Sequence, residues 1–192
     1  MENQQATTPT RQLDRAFVST RAILAKVQAD QLDAPTPCAS WDVRALINHF
    51  VGTARWAAAT ISTGDDVADE DYAAGDFLTS YDESIRGALA AFESVGALEK
   101  MVTLPFGEFS GVALMGLISR DQFTHGWDLA RAIGHHTDLD PELADELLIQ
   151  AQTEVPEAFR GPEGVAPFGP ILDAPARACP ADRLAAFLGR SM

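Results

Sequence analysis

Apolar residues along this chain recur every three or four positions in some stretches, and those stretches are separated by others rich in proline, glycine and acid. Between Gln12 and Ala29, Leu13, Phe17, Ile23, Leu24 and Val27 keep this spacing, which predicts an amphipathic helix. The following "LDAPTPCAS", residues 32–40, has two prolines that end it. Asp42 then stands where an N-cap belongs, and a second helix is predicted over 43–62, with Leu46, Ile47, Phe50 and Val51 apolar. Residues 62–76 are acidic and read as a loop. A third helix is expected over 77–95, its stripe formed by Phe77, Leu78, Tyr81, Ile85, Leu89 and Phe92.

The pattern then changes. "MVTLPFGEFSG", residues 101–111, has two short β-type runs around Pro-Phe-Gly, the signature of a small hairpin. A fourth helix is expected over 112–133, stopping at Gly134, a natural residue just past a helix end. A fifth follows over 141–155, after Asp140 and with proline at its first position. Prolines and glycines then accumulate in an irregular arm, and "ADRLAAFLGR" predicts a last short helix. Residues 1 to about 10 are polar and expected to fray. No internal repeat appears. The sum is an all-α protein of four substantial helices, with a small hairpin and short C-terminal extras. Residues 1–192 are expected to form one domain.

One face of the fourth helix breaks the rule that makes it a helix face. Leu114, Leu117, Ile118, Asp121, His125 and Leu129 share a broad stripe, so a carboxylate and an imidazole four residues apart point toward the interior. On the second helix His49 shares a face with Leu46 and Trp56. Burying such groups without partners costs several kcal/mol, roughly, so partners are required. A hydrogen-bonded cluster would supply them. So would a divalent ion, because two imidazoles and one carboxylate from facing helices are the ligand set of an open zinc-type site. Spacing alone leaves both open. Asp128 either accepts a proton from a ligand histidine or is a surface carboxylate. Trp41 and Trp127 read as packing residues, His135 and His136 as exposed loop histidines. Cys38 reads as a small packing residue, although a nearby helix start could activate its thiol. The acidic run at 65–71 is a solvated loop or a guard at a pocket mouth.

Composition narrows the field. A formal net charge of −14 repels phosphate backbones and anionic lipid, so neither nucleic acid nor a membrane surface is an expected partner. No stretch approaches the roughly 18 apolar residues of a membrane span. The first residues lack the basic and apolar regions of a signal peptide. Two cysteines give no disulfide framework and no zinc-ribbon spacing, and a cytoplasmic location is expected. Neither a Gly-rich phosphate loop nor a Gly-x-Ser-x-Gly element occurs.

"TPCASWDVRALINHFVG" (36–52), "PFGEFSG", "DQFTHGWDLARAIG" and the terminal "DRLAAFLGR" together resemble the DinB-like superfamily, and within it the branch of mycothiol-dependent maleylpyruvate isomerase and its metal-binding relatives. The resemblance runs from the first helix to "LGR". It implies an up-down-down-up four-helix bundle, with metal ligands carried over to His49, Asp121 and His125. Two departures stand out. The isomerase has glutamate where this chain has Asp121, one methylene shorter. It also carries a further C-terminal domain that contributes to its active site, for which 192 residues are expected to leave no room. Maleylpyruvate isomerisation is therefore not implied, whereas a related thiol transfer, or metal binding alone, is.

Three ligands leave a position open on a zinc-type ion. A thiol there loses its proton readily and can attack an electrophilic carbon. The expected activity is transfer of a mycothiol-type thiol to a small electrophile, with zinc as the expected ion and nickel or iron as substitutes. The alternatives are a metal-dependent hydrolase and a non-catalytic metal- or ligand-binding bundle. A homodimer is compatible with the sequence, which does not fix the oligomeric state.

Overall fold

A computed structural model describes residues 8–38, 41–65, 67–162 and 165–192. Among these residues the protein is mostly helical, with six α-helices and one two-stranded antiparallel hairpin. The helices are α1 (Thr8–Leu24), α2 (Val43–Ser62), α3 (Phe77–Phe92), α4 (Gly111–Ala132), α5 (Pro141–Glu154) and α6 (Pro180–Phe187). Strands β1 (Met101–Leu104) and β2 (Gly107–Ser110) form the hairpin, paired Met101 to Ser110 and Leu104 to Gly107. No helix among the described residues is long and apolar enough to cross a membrane.

The caps explain where the helices begin. Asp42, Asp76, Ser110 and Asp140 each accept a hydrogen bond from the free amide three residues on, Ala45, Thr79, Ala113 and Leu143 respectively. Three ends differ from the spacing: α1 already begins at Thr8, inside the stretch expected to fray and ahead of Gln12, and two helices stop early. Helix α1 ends at Leu24 rather than near Ala29, because residues 25–27 close short turns and 29–31 form a separate 3-10 turn. Helix α3 ends at Phe92, since the chain turns through Ser94 and Gly96, the latter at φ +79°. Residues 1–7, expected to fray, lie outside the described residues, as does Asp66 of the acidic run.

Helix α1 packs against α4 and α3, α2 packs against α3 and α4, and α5 and α6 pack together. Helix α4 sits at the centre of this arrangement. The spacing predicted one apolar stripe on it, but from Ile118 to Ala130 every residue except Asp121 is buried. Most of the polar residues there find partners, the Thr124 hydroxyl being the exception: Arg120 pairs with Glu154, and Gln122 accepts from the Tyr81 hydroxyl and donates to the Phe50 carbonyl. A helix enclosed on all sides shows no stripe because it has no wet face.

At the start of α4, a β-carbon on Gly111 would stand 1.9 Å from the Ala97 carbonyl oxygen. That contact is with rigid backbone, and the hairpin fixes it from the other side. Gly111→Ala is expected to lower stability by about 3 kcal/mol, the upper range for overpacking, read as a reduced urea midpoint at an unchanged slope. A variant within roughly 0.5 kcal/mol of native, the scale of a neutral surface change, would show that the turn before α4 yields.

Candidate metal centre

His49 is fixed seven residues into α2, on the turn after the one capped by Asp42. Asp121 and His125 lie one turn apart on α4, which packs directly against α2. The three side chains meet. His49 Nε2 is 3.1 and 3.0 Å from the two Asp121 oxygens, and His125 Nε2 is 3.6 Å from Asp121 Oδ1. One ligand atom from each of the three lies within 4.8 Å of the others. The Asp121 side chain is 22% exposed, too little to be hydrated like a surface acid.

The surroundings set the protonation states. Burial opposes the charge on Asp121, but the adjacent His49 outweighs it and holds the carboxyl below its usual range. Burial likewise opposes protonation of His49, yet the charge and hydrogen bond of Asp121 raise its pKa above the ordinary histidine value. On the far side of His125, Nδ1 is 2.9 Å from Asp128 Oδ2, and the Asp128 side chain is fully buried. Burial pushes against ionisation of Asp128, and the His125 hydrogen bond with the nearby Arg190 charge overcomes this and lowers its pKa. His125 thus faces the Asp128 carboxylate through Nδ1 and Asp121 through Nε2 on the opposite side of the ring. The 3.6 Å between Nε2 and Asp121 is too long for a hydrogen bond.

Three elements converge behind this cluster. A bridge between Pro35 and Asp42 closes the loop before α2, and the Thr36 hydroxyl donates to the carbonyls of Cys38 and Trp41. This places the Cys38 sulfur 3.8 Å from His125 Nδ1 and 3.4 Å from Asp128 Oδ2. It also sets the Trp41 ring over both imidazoles, 4.6 Å from His49 and 5.1 Å from His125 between centroids. At the other end of the chain, Gly189 adopts φ +89°, and the Arg190 amide bonds back to the Ala185 carbonyl at 2.9 Å. That left-handed glycine cap turns the chain inward after α6. Arg190 Nη2 then lies 3.3 Å from both Asp128 Oδ2 and Cys38 Sγ. Helix α6 is held for this by Asp182, which accepts from Trp127 Nε1 at 2.8 Å and from the Thr137 hydroxyl at 2.7 Å.

Two groups of side chains are thus close enough to hold an ion, His49/Asp121/His125 and Cys38/His125/Asp128. They share His125 through opposite ring nitrogens. The guanidinium of Arg190 already neutralises the second group, and its charge repels a further cation. The Arg190 charge also lowers the Asp121 pKa, but among the described residues no arginine or lysine is in ion-pair contact with the first group. Ligand atoms on zinc bonds of about 2.0–2.1 Å in tetrahedral geometry stand about 3.3 Å apart, and the 3.0 and 3.6 Å separations about Asp121 bracket that spacing. Its residues fit a divalent ion despite the shorter acid.

Several features escaped the sequence. Asp128 is no surface acid, Trp41 covers the imidazoles as well as packing, and Cys38 takes part in the charged cluster rather than merely filling space. Trp127 packs as expected, 1% exposed. His135 and His136 stack on one another away from the site. Arg190 was not singled out. The only signal for it is the glycine before it, which marks a chain reversal without saying which acid the reversal reaches.

A cleft of about 530 Å³ opens above His49, walled by Trp41 and Trp56. A family model described as the mycothiol maleylpyruvate isomerase N-terminal domain matches residues 13–130, a span that includes Cys38, the three clustered side chains and Asp128 but not Arg190. Over 183 residues the chain is 42% identical to the uncharacterized protein Rv0738 of Mycobacterium tuberculosis (strain ATCC 25618 / H37Rv), covering 93% of this chain and 95% of that protein. The uncharacterized protein MT0763 of strain CDC 1551 / Oshkosh matches to the same extent. No solved structure matches.

Proposed function

Because the chain belongs to the family of the mycothiol maleylpyruvate isomerase N-terminal domain, we propose that it is a divalent-metal protein that transfers a mycothiol-type thiol to a small electrophile, with His49, Asp121 and His125 as ligands and zinc as the ion. The same reading takes residues 1–192 as one cytoplasmic domain with the DinB-like up-down-down-up order of α1 to α4. The observation that carries it is the convergence of two imidazole nitrogens from two helices on one carboxylate. His49 Nε2 stands 3.0 Å and His125 Nε2 3.6 Å from Asp121 oxygens, and one ligand atom from each of the three lies within 4.8 Å of the others.

A bound divalent ion would supply the charge that lets a thiol give up its proton near neutral pH. The protein's own residues do the rest. Asp128 holds His125 through Nδ1, so that Nε2 stays turned toward Asp121. Thr53 Oγ1, 3.3 Å from His49 Nδ1, can accept a hydrogen bond from Nδ1–H once His49 Nε2 is needed as a ligand. Trp41 covers both imidazoles and keeps water from that side. In the transfer itself the sulfur electron pair forms a bond to the electrophilic carbon as the C–O bond of an epoxide, or the C=C π bond of a Michael acceptor, breaks, and the thiol proton ends on the oxygen or carbon that takes up those electrons.

The test is thiol consumption by purified protein against a panel of electrophiles such as epoxides and Michael acceptors, with a mycothiol-type thiol as donor. The rate is expected to collapse on chelation, to return with zinc, and to fall to background in His49→Ala. Equal rates for native and variant protein would overturn the transferase reading and leave a non-catalytic metal-binding protein.

A further inference from the structure

The cleft above the clustered side chains has a charge pattern of its own. Trp41 and Trp56 form its walls, and Gly52 lies between them on α2 with nothing within 4 Å of where a β-carbon would be. Among the described residues no lysine or arginine lines it. Helix α2 does carry two arginines, but both are committed to the acidic segment that borders the cleft. Arg44 pairs with Asp71 at 3.3 Å, while Arg55 lies 4.0 Å from Glu70 and stacks over the Tyr72 ring. Asn48 ties the same segment to α2, donating to Asp71 and accepting from the Ala73 amide. Asp69, exposed and lining the cleft, has no ion pair among the described residues.

From this we infer that the cleft selects a flat organic cation, accepts an uncharged analogue less well, and rejects a carboxylate. Aromatic faces attract cations through their quadrupoles. An unpaired carboxylate at the rim adds to that attraction and repels anions, and the protein's net charge of −14 acts in the same sense at longer range. A dicarboxylate entering the cleft would meet no lysine or arginine among the described residues that line it, and His49 is already paired with Asp121. The co-substrate that meets the thiol is accordingly a cationic or neutral conjugated molecule. Where that molecule sits relative to the thiol rests on the proposed metal site; the charge preference does not.

The experiment is calorimetric titration of the zinc-treated protein with three probes of one shape, benzyltrimethylammonium, benzyl alcohol and phenylacetate. Native protein is expected to bind them in that order of decreasing affinity. Asp69→Asn should weaken the cation by roughly two- to fivefold, the scale of one exposed charge, and Asp69→Lys should bring phenylacetate above the cation. Gly52→Phe should block all three with zinc content unchanged. Phenylacetate binding native protein as tightly as the cation, or an order unmoved in Asp69→Lys, overturns the inference. Zinc content and thiol consumption are measured on the same samples. The expected order without thiol consumption supports this inference and refutes the transferase reading, whereas thiol consumption without the order refutes this inference alone.

Discussion

Alanine at His125 is expected to leave the protein without a retained divalent ion. His49 and Asp121 would remain as two ligands with no third within reach, and the cavity left by the ring would admit water beside them. The loss should far exceed the roughly 10–100-fold that removal of an outer partner costs. His135→Ala is the control, because His135 packs on His136 in the loop after α4, remote from Asp121. The measurement is metal content by mass spectrometry after zinc loading and dialysis, with circular dichroism to show that both variants are folded. A folded His125→Ala protein that keeps its zinc, or a His135→Ala protein that loses as much, refutes the ligand assignment.

The second large effect is on stability. Asp128→Ala is expected to cost about 3–5 kcal/mol, the range for removing one partner of a buried ion pair. The cost is high because Arg190, 12% exposed, would be left charged without its acid, and because Cys38 and His125 both lose an acceptor. Asp128→Asn keeps the shape and should cost less. The pH dependence follows from the depressed pKa of Asp128. Its contribution is fully present above the ordinary carboxyl pKa and disappears as pH falls through the lower folded value, so native and variant proteins converge in acid. Urea unfolding near neutral pH and in acid checks both statements. A difference below roughly 1 kcal/mol at neutral pH, the range of an exposed pair, would mean that the Asp128–Arg190 pair is solvated after all.

The helical elements were legible because each has a local cause. Asp42 and Asp140 announce α2 and α5 as capping residues, Gly134 announces the end of α4 with φ +71°, and the apolar spacing covers what lies between. Polar residues on an apolar face were informative for the same reason: His49, Asp121 and His125 stood where water is scarce, and the structure brings them together. Asp128 was harder to read because α4 has no polar face against which to judge it. With buried residues all round, spacing no longer separates inside from outside. Cys38 and Arg190 were illegible for a different reason. Their positions depend on a closed loop and a helix reversal 152 residues apart, and no local pattern reports which distant segments will meet.

That separation bears on the order in which the protein assembles. His49, Asp121 and His125 are all present once α4 has been synthesised, and α2 and α4 can pack while the rest of the chain is still emerging. The clamp on His125 cannot be completed then, because Arg190 follows α6, and α6 must first dock through Asp182 on Trp127. Closing so long a loop is slow, since its entropy is lost before the contact repays it. An α2–α4 pair formed before α6 docks would leave Asp128 without its counter-charge, so the docking of α6 is the step that completes the ion pair.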